Sequence, residues 1–340
     1  MKTMKVAMYY NNNDVRIEEL PIPKINDDEL LVKVQASGIC GSDVMEWYRL
    51  KTAPRVLGHE ISGDIVEVGK NVKKYNVGDR VFISHHVPCN NCNFCNNDQH
   101  TLCNMLHSTN FYPGGFAEYL KVPKINVKVG TFLLPKEMSY EEGAFIEPLA
   151  CVVRGFRIAE MKPEQSVLIL GSGIAGLLQI KIAKTRDARK IFATDINEHR
   201  LKIAKKLGAD VAINAKENVA KLVKKNNDGM LADFVILCAG VPSAVKQAFE
   251  SVTPGGTILF FAMTKPGVEI PFHLFDIWNK QVKIVSTYAG APKDIVDAIE
   301  FIRSKKVEVT DMISHRLPLS EAAKGFQLVA KAQDSIKVIL

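Results

Sequence analysis

The chain has 340 residues, 47% hydrophobic and 24% charged, with a formal net charge of +7; that is enough for one large domain or two ordinary ones with substantial cores. This composition excludes a disordered or low-complexity chain, and lysines scattered along its length read as a solvated surface, with attraction of a phosphorylated substrate or a pyrophosphate as the alternative. No apolar run approaches the roughly eighteen residues of a spanning helix, and the opening MKTMKVAMYY lacks a signal-peptide core, so a soluble cytoplasmic protein with no membrane partner is expected.

From residue 1 to about 148 the sequence is rich in short β-like runs broken by Gly, Pro and Asn. Examples are Leu30 to Val34, Ile61 to Val68 and Asp79 to Ile83, the last introduced by the turn signal Val77-Gly78. From about 149 to 286 apolar runs alternate with helical periods. The runs are Ser166 to Leu170, Lys190 to Thr194, Val211 to Asn214, Asp233 to Cys238, Thr257 to Ala262 and Val282 to Ser286. Between the first five lie Ile174 to Lys184, Glu198 to Leu207, Lys216 to Lys225 and Ser243 to Ser251. Continuous apolar strands spaced by amphipathic helices are what a parallel sheet covered on both faces requires. The tail, 287–340, holds one or two helices and a final strand-like Ile336 to Leu340, and no internal repeat is present.

Strand Val167 to Leu170 runs into Gly171-Ser172-Gly173-Ile174-Ala175-Gly176 and then a helix, and Asp195 closes the next strand. Gly171 permits the tight turn, Gly173 lets the backbone approach a pyrophosphate, and Gly176 allows helix to pack on strand. The helix start at Ile174 offers unpaired N–H groups to the anion. Asp195 is expected to bind the adenosine ribose hydroxyls and to repel a 2′-phosphate, favouring NAD over NADP. Arg200 either flanks the adenine side or is a solvated helix residue.

Cys89, Cys92, Cys95 and Cys103 read C-x2-C-x2-C-x7-C within text of little core-forming power. In a reducing compartment this clustering favours a metal over disulfides. Four thiolates suit a closed structural zinc site, with an iron–sulfur cluster as the alternative. A zinc-ribbon nucleic-acid module lacks its basic and aromatic surface here.

Three further places offer ligands of catalytic type: Gly38-Ile39-Cys40-Gly41-Ser42-Asp43, Gly58-His59-Glu60 and Glu147-Pro148-Leu149. Each alone is weak, since a small core cysteine, a buried histidine and a helix-end carboxylate are all ordinary. Together with the glycine and cysteine motifs they are not. The segments GICGSDV, GHEISGDIVEVG, GGFAEY, IEPLA, GSGIAG and TDINEHRL, with the cysteine lobe, resemble the zinc-containing medium-chain dehydrogenase/reductase family over essentially the whole chain. The sorbitol and polyol dehydrogenase-like branch is the nearest part of it.

The resemblance implies an α/β fold in which a Rossmann domain, about 149–286, is inserted into a mainly antiparallel, GroES-like catalytic domain, about 1–148 plus 287–340. A cleft between them would hold zinc and nicotinamide. It also implies two zincs per chain, NAD, and a homodimer or homotetramer. Cys40, His59 and Glu147 would bind the catalytic zinc, with Glu60 as an exchanging ligand. Ser42 would pass the alcohol proton outward, and Asp43 would orient His59. The implied activity is hydride transfer between a secondary or polyol-like alcohol and NAD. Dehydrogenases of a phosphorylated polyol, a cyclitol or an amino alcohol of the threonine type are the alternatives, followed by a silent zinc scaffold and the zinc-free quinone reductases.

Two departures concern substrate reading. Where many branch members carry a histidine two residues after the aspartate of GSDV, this chain has Met45, then Glu46, Trp47 and Tyr48. Near the end of the cofactor domain Ser286-Thr287-Tyr288 lacks the branch's arginine. Both losses fall where substrate hydroxyls would be read, which argues against sorbitol itself; Trp47, Tyr48 and Tyr288 suggest either a more aromatic pocket or core packing. His85, His86, His100 and His107 are expected to be loop residues near the cysteine lobe, with room for one to face the reactive site.

Overall fold

Val167 to Leu170 form an unbroken apolar run, and in the computed structural model, which describes residues 2–340, that run is strand Ser166–Leu170, buried throughout. It lies inside one of two units into which the chain divides, Cys151–Tyr288. Its six strands are all parallel, in the order Val211–Asn214, Lys190–Asp195, Ser166–Leu170, Ala232–Leu237, Val252–Phe260, Lys283–Ser286. In chain order that is 3-2-1-4-5-6, the doubly wound arrangement whose direction reverses beside the first strand, where ligands bind. Helices Ile174–Thr185, Glu198–Leu207, Val219–Asn226 and Pro242–Ser251 connect the first five strands. Leu168, Leu170, Phe192, Val235, Leu237 and Ile258 pack into one core against Val245 and Ala248. Helix Glu198–Leu207 shows how locally its ends are written. The Asn197 side chain accepts from the His199 and Arg200 N–H groups at its start, and Gly208 ends it at φ 120°.

The fifth strand starts earlier than its apolar run suggests, at Val252, because the chain is already paired before the Pro254-Gly255-Gly256 segment; the register shifts between Ala232 and Phe234. Helix Leu274–Lys280, which periodicity does not announce, leaves Leu274, Phe275 and Trp278 exposed. An apolar set that meets no core of its own unit carries no intramolecular periodic signal.

The other unit contains residues up to Ala150 together with Ala289–Leu340. Its larger sheet runs Ile313–Arg316, Lys337–Ile339, Leu30–Gly38, Glu60–Val68, Arg80–Ile83, Thr131–Leu133, with Tyr119–Val122 also on Leu30–Gly38. All pairings are antiparallel except Ile313–Arg316 with Lys337–Ile339. Leu30, Val32, Ile61, Ile65, Val81, Ile83 and Leu120 form its core. A hairpin, Thr3–Asn11 with Asp14–Pro21, pairs with Arg55–Val56 and packs Val6 and Tyr9 against Phe116 and Phe326. The tail therefore completes this larger sheet: after helices Pro292–Arg303 and Ala322–Lys331, its last strand lies beside Leu30–Gly38. Among the described residues, no helix is long and apolar enough to cross a membrane.

Candidate functional site

The cysteine lobe is built from short helical turns, Asn93–Asn96, His100–Leu102 and Asn104–Ser108, around the buried Leu106. The four sulfur atoms lie within 4.8 Å of one another. Neighbouring pairs stand at 3.6 Å (Cys92 and Cys95), 3.6 Å (Cys89 and Cys103) and 3.9 Å (Cys89 and Cys95). A tetrahedron of thiolates about 2.3 Å from zinc has edges of about 3.8 Å, so the set fits one ion. Sulfurs bound to four separate irons of a cluster would stand farther apart. Burial opposes the Cys103 thiolate, but N–H donors of Cys89, Leu106 and Met105 draw its pKa down to about 6. Burial pushes Cys95 up to about 12, so that thiolate depends on a cation to form.

The second cluster brings together Cys40, His59 and Glu60, whose ligand atoms also lie within 4.8 Å of one another. Cys40 caps the short 3-10 helix Gly41–Val44, its sulfur accepting from the Ser42 N–H at 3.5 Å. Asp43, on that helix, is wholly buried. One of its oxygens accepts the Cys40 N–H at 3.1 Å; the other lies 3.4 Å from Nδ1 of His59 and 3.2 Å from the Arg49 guanidinium. Engaging Nδ1 leaves Nε2 as the ligand atom and fixes the ring's orientation. Burial opposes the His59 charge, yet the Asp43 carboxylate and the Cys40 sulfur raise its pKa well above the ordinary histidine value.

Glu60 opens strand Glu60–Val68 opposite Gly38 and is 1% exposed, paired there with the fully buried Lys337 of the last strand. The Lys337 ammonium also lies 3.5 Å from the Ile39 carbonyl and 5.7 Å from the Phe145 ring centre. Gly38 is required by the crowding: a Cβ there would fall 2.3 Å from the Glu60 carboxylate and 2.6 Å from Lys337 Cε. Lys337 had only a faint signal in sequence, as the one charge inside the apolar run Ile336 to Leu340.

Glu147 is not in the compact cluster. It sits in the first turn of helix Ile146–Ile158 and lines a water-sized cavity of about 10 Å³ with Ser84, His85, His86, Ala150, Ala289, Gly290 and Ile295. Of the two carboxylates expected near the metal, the one grouped with Cys40 and His59 is thus Glu60, its neighbour in sequence. His85 and His86 lie beside the site rather than in the lobe: the His85 ring is 4.9 Å from that of His59 and 3.8 Å from that of His86. Burial keeps both neutral, lowering His85 well below the usual value and His86 to about 4. His100 and His107 stay in the short turns of the lobe.

In the parallel-sheet unit, Gly171 turns the chain at φ 105°, and a Cβ on Gly176 would fall 1.9 Å from the Gly171 carbonyl oxygen. A Cβ on Gly173, which caps the helix beginning at Ile174, would meet only the Arg200 guanidinium at 3.8 Å. This is an open cradle at a helix N-terminus, with one cation on its flank, and it fits a pyrophosphate. Asp195, 9% exposed, accepts the Ser172 and Asn197 N–H groups at 2.9 Å each, which anchors its carboxylate beside that turn and leaves lone pairs for ribose hydroxyls.

Residues 26–130 match the alcohol dehydrogenase GroES-like domain, and residues 175–304 match the zinc-binding dehydrogenase family. The chain is 33% identical to a sorbitol dehydrogenase of Bacillus subtilis, across 96% of this chain and 93% of that protein. It is 32% identical to D-xylulose reductase A of Aspergillus oryzae, across 96% and 93%. A zinc-binding dehydrogenase of Sinorhizobium meliloti, solved with NADP bound, superposes with a TM-score of 0.87 at 28% identity, across 100% of this chain and 99% of that one.

Proposed function

Because the chain belongs to the zinc-containing medium-chain dehydrogenase/reductase family, in its sorbitol and polyol dehydrogenase-like branch, we propose that it oxidises a secondary or polyol-like alcohol at a zinc held by Cys40, His59 and Glu60. It is an oxidoreductase acting on CH–OH groups. The observation that carries the site is the convergence of thiol, imidazole and carboxylate within 4.8 Å, with the Ser42 N–H donating to the Cys40 sulfur. When bound, zinc would supply a Lewis acid that makes an alcohol easier to deprotonate, and NAD would supply the hydride acceptor. The chain's own residues do the rest. Ser42 Oγ accepts the alcohol proton as its own hydroxyl proton passes outward to solvent; Asp43 holds the imidazole of His59 in one tautomer; the neutral His85 and His86 line the approach without adding charge. Glu147 is the carboxylate that exchanges with Glu60, and Cys89, Cys92, Cys95 and Cys103 hold a structural zinc that maintains their lobe.

NAD is the preferred cofactor in this reading. The Asp195 carboxylate, beside the glycine turn, would bind the ribose hydroxyls and repel a 2′-phosphate, although the Sinorhizobium relative binds NADP. The physiological assembly is a homodimer or homotetramer, formed through the exposed Leu274, Phe275 and Trp278 beside the edge strand Lys283–Ser286. Light scattering of Trp278→Asp tests this, and an unchanged mass would remove it. Reduced, closely set cysteines suit the cytoplasm. Metal analysis combined with NADH absorbance, across polyols and their phosphates, cyclitols, amino, aromatic and short-chain alcohols, tests the activity. Two zincs and turnover of one substrate class are expected; one zinc with no turnover would leave only a zinc scaffold.

A further inference from the structure

Arg49 ends the short helix Glu46–Arg49, one turn after Met45, whose carbonyl accepts the Arg49 N–H at 3.0 Å. Its side chain turns back onto the 3-10 helix that carries Ser42 and Asp43. Nε donates to the Ser42 carbonyl at 2.9 Å, and Nη2 donates to both Ser42 Oγ at 3.1 Å and Asp43 Oδ1 at 3.2 Å. The guanidinium carbon also lies 4.7 Å from the Tyr48 ring centre, and the side chain is only 14% exposed. Three hydrogen bonds and a ring face leave this long side chain little freedom. In free solution a serine hydroxyl rotates among three rotamers, and its proton rotates independently.

We propose that Arg49 is a positioning residue for proton transfer, holding the Ser42 hydroxyl in its working orientation and tying it to the carboxylate that orients His59. A hydroxyl has one proton and two lone pairs. The Arg49 donation occupies one lone pair, so the other lone pair and the proton are left for the alcohol and for the onward transfer. At position 45 this chain has a thioether, which neither accepts nor donates a proton usefully. The polar partner of Ser42 is instead a guanidinium, which stays charged at every working pH and so acts by direction and charge rather than by taking the proton. Lysine cannot replace it, because a single ammonium cannot reach the Ser42 carbonyl, the Ser42 hydroxyl and Asp43 at once.

The inference rests on Ser42 handling the alcohol proton. Its test is steady-state kinetics of zinc-loaded Arg49→Lys and Arg49→Ala on the best alcohol of the wild type, with zinc content measured for each and methylguanidinium added back. A fall in kcat of about 10- to 100-fold is expected in both, with KM for NAD and zinc content within twofold of wild type. A larger solvent deuterium isotope effect on kcat and partial recovery of Arg49→Ala by methylguanidinium should accompany it. Wild-type kcat in Arg49→Lys would overturn the proposal, and so would a loss of kcat that only follows lost zinc and is not rescued. If Arg49→Ala does not fold, the charge-keeping Arg49→Lys decides by its kcat and isotope effect. A wild type silent toward every alcohol would overturn the functional reading itself, and the role of Arg49 with it.

Discussion

Lys337→Met should destabilise the larger-sheet unit far more than an ordinary lysine substitution does. Lys337 is 0% and Glu60 1% exposed, and the two side chains pair with each other. Methionine matches much of the lysine stem in length, so little packing volume is lost and the effect reduces to charge. Removing one partner of a buried pair leaves the other charge in low dielectric, at a cost of about 3–5 kcal/mol. Glu60→Gln combined with Lys337→Met removes both charges and should recover part of that loss, since a buried amide costs less in low dielectric than an unpaired carboxylate. The chain has two tryptophans, Trp47 and Trp278, and they lie in different units. In a Trp278→Phe background, Trp47 fluorescence during urea unfolding therefore reports the unit that contains the pair. Zinc should narrow the gap between Lys337→Met and its parent, because a cation beside Glu60 replaces the missing ammonium. A single-variant loss below about 1 kcal/mol, or a double variant no more stable than the single, would refute the account of this pair as an uncompensated-charge problem.

Cys40→Ala should abolish turnover and lower zinc from two ions to one per chain, while circular dichroism stays that of the wild type because the lobe zinc is separate; a variant retaining both zincs and activity would remove Cys40 from the site. Asp195→Ala should relax the preference for NAD over NADP, measured as the ratio of kcat/KM values, and an unchanged ratio would mean that the carboxylate does not meet the ribose. Gly176→Ala should lose dinucleotide affinity, since its Cβ would fall 1.9 Å from the Gly171 carbonyl oxygen and the turn must open; titration of NADH fluorescence reads this directly. Stability should also fall on acidification. The unfolded chain protonates His86 near its ordinary value of 6.5, but the buried ring resists until about 4, so the stability that its burial permits is complete above 6.5 and declines as pH drops towards 4. The slope is about 1.4 kcal/mol per pH unit for one such group, and His86→Gln should flatten the stability profile measured by urea unfolding across that window.

Much of this molecule is written locally. The C-x2-C-x2-C-x7-C spacing places four sulfurs within reach of one ion because a few residues of turn cannot carry them apart. The Gly171 to Gly176 turn and Asp195 follow from strand, glycine and strand end, all inside one stretch of about two dozen residues. The apolar runs match their strands closely at Ser166–Leu170, which is buried throughout, and at the half-buried edge strand Val211–Asn214. Fidelity fades where the reward for an apolar residue lies outside the unit's core, as at Leu274, Phe275 and Trp278.

What only the tertiary structure decided are the partnerships made across the sheet and around the reactive cluster. Glu60 meets Lys337 because the last strand and strand Glu60–Val68 both flank Leu30–Gly38, a pairing between residues 277 apart. His85 lies against His59 because strands Arg80–Ile83 and Glu60–Val68 are neighbours, and Arg49 reaches Ser42 because its helix folds back. Glu60, not Glu147, shares the cluster with Cys40 and His59 for the same kind of reason. Spacing along a chain encodes what neighbours in sequence can do together; which side chains from distant segments meet depends on strand register and the direction of each side chain, and these exist only once the sheets have formed.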